Sequence, residues 1–160
     1  MYKSVDKNLL LEYLQIVGSC YATGDFEMLY PYLSDDCVWE SQWRLTPETG
    51  KESVINYFNK KGMLLRESGN FPKWMVVEFI DNMNPMMNVD IIKGNKAERA
   101  TVGLMYQSGK LALFLSQQLD DLQNAIILDL SINDSGEIKR IDLCMPELFK
   151  FKKYEPEIKY

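Results

Sequence analysis

Between Val5 and Tyr21 the apolar side chains Leu9, Tyr13, Ile16 and Cys20 recur at helical spacing, with Leu10, Leu14, Val17 and Tyr21 as a second stripe beside them. So wide an apolar face predicts a helix laid across a sheet and largely covered. Gly24 follows as the residue that ends it. Asp25 then caps a short second helix, DFEMLYPYL, whose length Pro31 limits. Ser34-Asp35-Asp36 reads as a turn. The next stretch, CVWESQW, switches to a period of two, with Cys37, Trp39, Ser41 and Trp43 on one side and Val38, Glu40 and Gln42 on the other. The loop RLTPETG leads into a third helix, with Thr49 or Gly50 at its cap and Val54, Tyr57 and Phe58 facing inward. Gly62, Gly69, Asn70 and Pro72 break that pattern.

From Lys73 onward the pattern is that of strands. WMVVEFI is followed by a break at NMNP, and MNVDII is a short strand or an extension of the one before. ERATVGLMY and KLALFLSQQL are joined by QSGK, and NAIILDLSI and EIKRIDLCM by NDSG, two hairpin signals of which the second is stronger. Helices first and then a meander of strands predict an α+β fold, a cone of three N-terminal helices on one face of a strongly curved, mostly antiparallel sheet. At 160 residues the chain is one domain, here residues 1–149, with a charged tail over 150–160.

Charge narrows the function. A formal net charge of −5 argues against a nucleic-acid or anionic-membrane surface, and the terminal Lys150, Lys152, Lys153 and Lys159 alternate with Glu155 and Glu157 as in a solvated tail. Cys20, Cys37 and Cys144 are widely spaced, without a zinc or C-x-x-C pattern, and fit reduced core residues of a cytoplasmic protein. The N-terminal apolar cluster is interrupted by Glu12 and Gln15, and nothing later reaches transmembrane length. There is no histidine, which removes the commonest general base and the commonest transition-metal ligand. No cofactor or metal is expected.

YATGDFEMLYPYLSDDCVWE, TGKESVINYF and LDLSINDSGEIKRIDL together resemble the nuclear transport factor 2-like superfamily of cone-shaped domains, which includes ketosteroid isomerases, polyketide cyclases and scytalone dehydratase. The resemblance covers nearly half the chain and speaks for the fold more than for an activity. It implies that the three functional positions of a ketosteroid isomerase fall at Ile16, Ser41 and Leu128, so the tyrosine, the catalytic aspartate and the protonated aspartate are all replaced. Dehydratase chemistry that depends on histidine is excluded. No catalytic residue is assigned.

The same alignment puts Ile16, Cys20, Trp39, Ser41, Trp43, Phe58, Leu115, Gln117, Leu128 and Leu143 on the cone wall, with Leu113, Ile126, Leu130, Ile141 and Met145 beside them. Such a wall suits a neutral, flat, apolar ligand oriented by Ser41 and Gln117, or it is filled core, the commoner fate of an apolar stripe. Asp35-Asp36 and Asp120-Asp121 read as turn residues. Glu40 and Asp129 point away from the cone unless a bulge turns them in. Met83, Met86 and Met87 mark an adaptable edge or a loose loop. The leading expectation is a non-catalytic cone acting through protein contact, as a homodimer through the sheet's outer face, where Ile127, Asp129, Ser131, Arg140, Asp142 and Cys144 alternate polar with apolar. A small-ligand binder is the alternative, and an isomerase or cyclase using Glu40 or Asp129 the third reading.

Overall fold

The structure, a computed structural model, describes residues 7–41, 44, 46–79, 86–93, 96–103, 110–118, 125–144 and 151–153. Helix α1 spans Lys7–Thr23, a 3-10 helix Glu27–Tyr32, and helix α2 Lys51–Ser68. The strands are β1 Leu33–Ser41, β2 Glu48–Thr49, β3 Lys73–Phe79, β4 Met86–Lys93, β5 Lys96–Gly103, β6 Leu111–Ser116, β7 Ile126–Ile132, β8 Ile138–Cys144 and β9 Phe151–Lys153. Seven of them form one sheet in the order β2-β1-β8-β7-β6-β3-β9, while β4 and β5 pair as a second, two-stranded sheet. Every pairing in the large sheet is antiparallel except β1 on β8. This is the α+β arrangement that the pattern predicts, with helices packed on one face of a curved sheet.

Local chemistry explains the helical corner. Gly24, at φ +74°, takes the left-handed position after α1 and closes its N–H on the Cys20 carbonyl at 2.8 Å. Asp25 Oδ1 then accepts the Glu27 N–H at 3.0 Å. The expected second helix is a 3-10 helix rather than an α-helix, because Pro31 inside it has no N–H to extend an α-helical ladder. Gly62, expected to break α2, lies inside it. A Cβ there would collide with the Gly24 carbonyl oxygen and crowd Phe26, so the glycine allows the α1 corner to seat on α2. Arg66 donates to the same Gly24 carbonyl.

β1 starts earlier than the alternation suggests. Leu33 pairs with Ile138, and four residues of β1 then run against one of β8 before Val38 meets Arg140. Ser34-Asp35-Asp36 is therefore not a turn but an irregular stretch of β1, with Ser34 buried and the two aspartates exposed. Beyond it the expected parity holds: Cys37, Trp39 and Ser41 are buried while Val38 and Glu40 are half-buried.

The NDSG hairpin forms as predicted. Asn133 N–H donates to Glu137 at 2.8 Å, and the Asn133 side-chain oxygen accepts from Ser135 and Glu137. β5 and β6, expected to pair across QSGK, do not do so among the described residues: β6 has β3 on one edge and β7 on the other and β5 pairs with β4, while residues 107–109 lie outside the described residues. Phe151–Lys153, expected in the solvated tail, adds to the outer edge of β3 as β9. Trp43, Met83, Asp120, Asp121, Met145 and most of the tail lie outside the described residues. Among the described residues no helix is long and apolar enough to cross a membrane.

One apolar cluster sits between the helices and the concave face of the sheet, built on Leu14, Val17, Phe58, Leu113, Leu128 and Ile141 among others. A second, smaller one lies on the opposite face: Val77, Ala112, Phe114, Ala125, Ile127 and Cys144, all at 1% exposure or less within the single chain. Ile127 and Cys144, expected to face a second copy, are thus already covered.

Candidate functional site

Strand parity and helix packing bring most of the expected cone wall together. Cys20, Trp39, Phe58, Leu115, Leu128 and Leu143 are buried in the concave-face cluster, Ser41 is buried on the same strand face, and half-buried Ile16 packs against it. Gln117 does not join them. β6 ends at Ser116, so the alternation no longer governs the next residue; Gln117 is exposed and its amide reaches the Asn70 carbonyl at 3.4 Å.

Glu40 and Asp129 both stand on the far face. Because the irregularity in β1 precedes Val38, it leaves Glu40 outward, where its carboxylate takes an Arg140 guanidinium N–H. Arg140 also donates to both oxygens of Asp142, each at 3.1 Å. Asp142 sits directly across from Asp129, which accepts from Lys110 at 2.9 Å. Burial raises the pKa of both aspartates above the usual carboxylate range, against the pull of Lys110 and Arg140, and the Asp129 charge adds to the rise at Asp142. Sequence reasoning missed a different carboxylate. Glu78 follows Trp74 and Val76 on the concave face, nearly buried, with Lys7 Nζ at 2.5 Å. The parity of WMVVEFI contained that signal.

Among the described residues, two donors inside the cone lack acceptors. The Tyr21 hydroxyl and the Trp39 Nε1 are buried, at 3% and 2% residue exposure, with no hydrogen-bond partner. Burial, reinforced by Tyr57 and Cys20, pushes the Tyr21 phenol well above its usual pKa, so it stays protonated and donates. Burial likewise lifts the Cys20 thiol to about 12, which rules out a thiolate nucleophile there at neutral pH.

Outside the cone, between β1, β2 and the start of α2, lies a cleft of about 690 Å³ lined by Asp35, Arg44, Glu48, Thr49, Gly50, Lys51, Glu52, Ser53, Asn56, Tyr57 and Lys60. It is polar, unlike the apolar wall expected from the sequence, and that reading named only Tyr57 of its side chains as facing inward. Tyr57 links the two regions. Its ring stacks on Trp39 at 3.8 Å between centroids, and burial raises its phenol to about 12, with Arg44 and Glu48 as opposing influences. The Arg44 guanidinium lies 5.2 Å from the Trp39 centroid and 5.6 Å from that of Tyr57. Glu48 Oε1 holds Arg44 at 2.9 Å, and its other oxygen accepts from the Ser53 hydroxyl; these hydrogen bonds, Ser53 first, lower the Glu48 pKa.

No family model matches this chain, and no curated protein matches it. Among solved structures it is similar to a steroid delta-isomerase from Pseudomonas aeruginosa, with 15% identity and a TM-score of 0.45 over 89% of this chain and 82% of that one. It is also similar to a putative ketosteroid isomerase from Kribbella flavida, at 12% identity and a TM-score of 0.45 over 98% of this chain and 88% of that one. An NTF2-like protein of unknown function from Mesorhizobium loti stands at 9% identity and a TM-score of 0.45, over 91% of this chain and 98% of that one.

Proposed function

We propose that the chain is a non-catalytic binder of a small, neutral, planar molecule carrying a hydrogen-bond acceptor, held in the cone behind Tyr57. The observation that carries this reading is the pair of buried donors, Tyr21 OH and Trp39 Nε1, with no acceptor for either. A buried polar group left unpaired costs about 1–3 kcal/mol, and a ligand carbonyl would relieve that cost. The concave wall around them is aromatic and aliphatic, which favours a flat, uncharged body. A cleft within the usual range of ligand-site volumes lies on the outer side of Tyr57. Proton abstraction has no support at the three isomerase positions, which hold Ile16, Ser41 and Leu128.

Homodimerisation through the outer sheet face is the weaker reading. Ile127 and Cys144 are covered within one chain, and Glu40 and Arg140 already satisfy each other there.

The test is titration with prodan, a neutral naphthyl ketone whose emission reports polarity, against wild type and Tyr21→Phe. Saturable tryptophan quenching with a blue-shifted prodan emission is expected in the wild type. Removing the hydroxyl while keeping the ring should weaken binding about fivefold, the value of one hydrogen bond. Absence of saturable quenching in the wild type refutes the reading.

A further inference from the structure

We propose that the Tyr57 side chain is a door between the cleft and the cone, that Arg44 held by Glu48 is its latch, and that a planar ring of the ligand replaces Tyr57 on the face of Trp39. This rests on the ligand-binding reading above.

Tyr57 has one edge in the cleft and its ring on Trp39, whose Nε1 is one of the two unpaired donors. Its neighbour Phe58 is fully buried and stacked on Phe26 at 4.8 Å. Phe58 therefore anchors α2 while Tyr57, half-buried, turns about its own side-chain bonds. Arg44 lies against both rings of the stack and holds them from the cleft side. The latch is weak by construction. Arg44 and Glu48 side chains are 43% and 24% exposed, and such exposed pairs contribute little. Glu48 keeps its Ser53 hydrogen bond when Arg44 leaves, so release strands no carboxylate. Once Tyr57 swings into the cleft, Trp39 offers a bare aromatic face and a free N–H at one place. A flat conjugated ring with a carbonyl uses both, and the Tyr21 hydroxyl provides the second donor.

Stopped-flow mixing with prodan, followed by tryptophan quenching, tests this on wild type, Tyr57→Ala and the surface variant Arg44→Ala. A door open in 10% of molecules or fewer would slow association in proportion. Tyr57→Ala should then raise the association rate and the affinity together by about tenfold, with dissociation little changed. Arg44→Ala should raise the association rate severalfold in the same direction. Saturable quenching with unchanged association rates in both variants overturns the door and leaves the binding reading standing. No saturable quenching in any of the three proteins overturns both.

Discussion

Gly18→Ala is expected to destabilise the protein although it adds a better helix former. In an exposed helix interior the change would favour folding by about 1 kcal/mol. Gly18, however, sits in α1 where it faces Trp74 of β3. A Cβ at that position would lie 2.7 and 2.8 Å from two carbons of the indole and closer still to a third. Carbon atoms in good contact sit about 3.5–4.0 Å apart, so the shortfall is close to 1 Å against a rigid ring. Trp74 stands opposite Leu115 in the β3–β6 pair, so relief requires either the indole to leave its rotamer or α1 to lift from the sheet. Overpacking of this kind costs about 1–3 kcal/mol, and three ring atoms in collision put it at the upper end. Less the propensity gain, the net loss is about 2 kcal/mol, or a drop of about 1 M in the urea midpoint. The cause is separable by a double-mutant cycle: in a Trp74→Phe background, where the ring is smaller, Gly18→Ala should cost far less. A stabilised Gly18→Ala, or the same loss in both backgrounds, would refute the seating of α1 on Trp74.

Two further outcomes are expected. The folded chain holds Asp129 and Asp142 above the roughly 4 at which they titrate when unfolded, so between those values it binds more protons and gains stability as pH falls. The urea midpoint should therefore rise as pH falls from neutral toward that value, chiefly because burial disfavours both charges, with the like charges directly opposite contributing up to about 1 kcal/mol. Asp129→Asn should reduce the rise by removing one titrating group and its charge beside Asp142, and a midpoint that only falls as the pH is lowered refutes it. Glu48, lowered by Ser53 and Arg44, loses its contribution only at lower pH. Ultraviolet assay of a conjugating steroid substrate should show no turnover above buffer, and clear turnover would return the chain to the enzymes.

What was legible in the sequence was local and periodic. The double stripe from Leu9 to Tyr21, the alternation from Cys37 to Ser41 and the Asn133–Gly136 turn each lie within a single element or hairpin, where spacing alone determines which side chains share a face. The failures are non-local. Gly62 looks like a helix breaker until Gly24 is seen to pack against it, and β5 and β6 look like partners across QSGK until β3 and β7 are found on both edges of β6. Gly94-Asn95, between the paired strands β4 and β5, is itself a two-residue hairpin signal. The cleft could not be read in advance because it joins separate elements: Ser53, Asn56, Tyr57 and Lys60 share one face of α2 at helical spacing, but Asp35 in β1, Arg44 and Glu48 meet that face only once the chain is folded. Glu78 could have been read, two positions past Val76 on the same face.

The distribution of acids between the two sheet faces argues for binding over proton transfer. An isomerase-type site needs a base beside its donors, and the carboxylates with raised pKa values here, Asp129 and Asp142, are on the face away from Tyr21 and Trp39, tied to Lys110 and Arg140. Glu78 is the carboxylate that parity puts on the concave face among the described residues, but it belongs to β3. In the sheet order β1 and β3 are four steps apart, about 19 Å along the curved sheet from the strand that carries Trp39. A general base must come within about 3 Å of the proton it takes from a bound molecule. Lys7, which occupies that carboxylate, begins α1, and Tyr21 stands well over three turns further along it, about 21 Å by the helical rise, so a carbonyl held by Tyr21 is kept well short of Glu78. Ser41 is closer, on Trp39's own strand, yet a serine hydroxyl is a weak nucleophile and a weak base at its ordinary pKa. Donors without a base beside them can hold an acceptor but cannot take its proton, which is the ground on which we propose recognition for the described part of this cone.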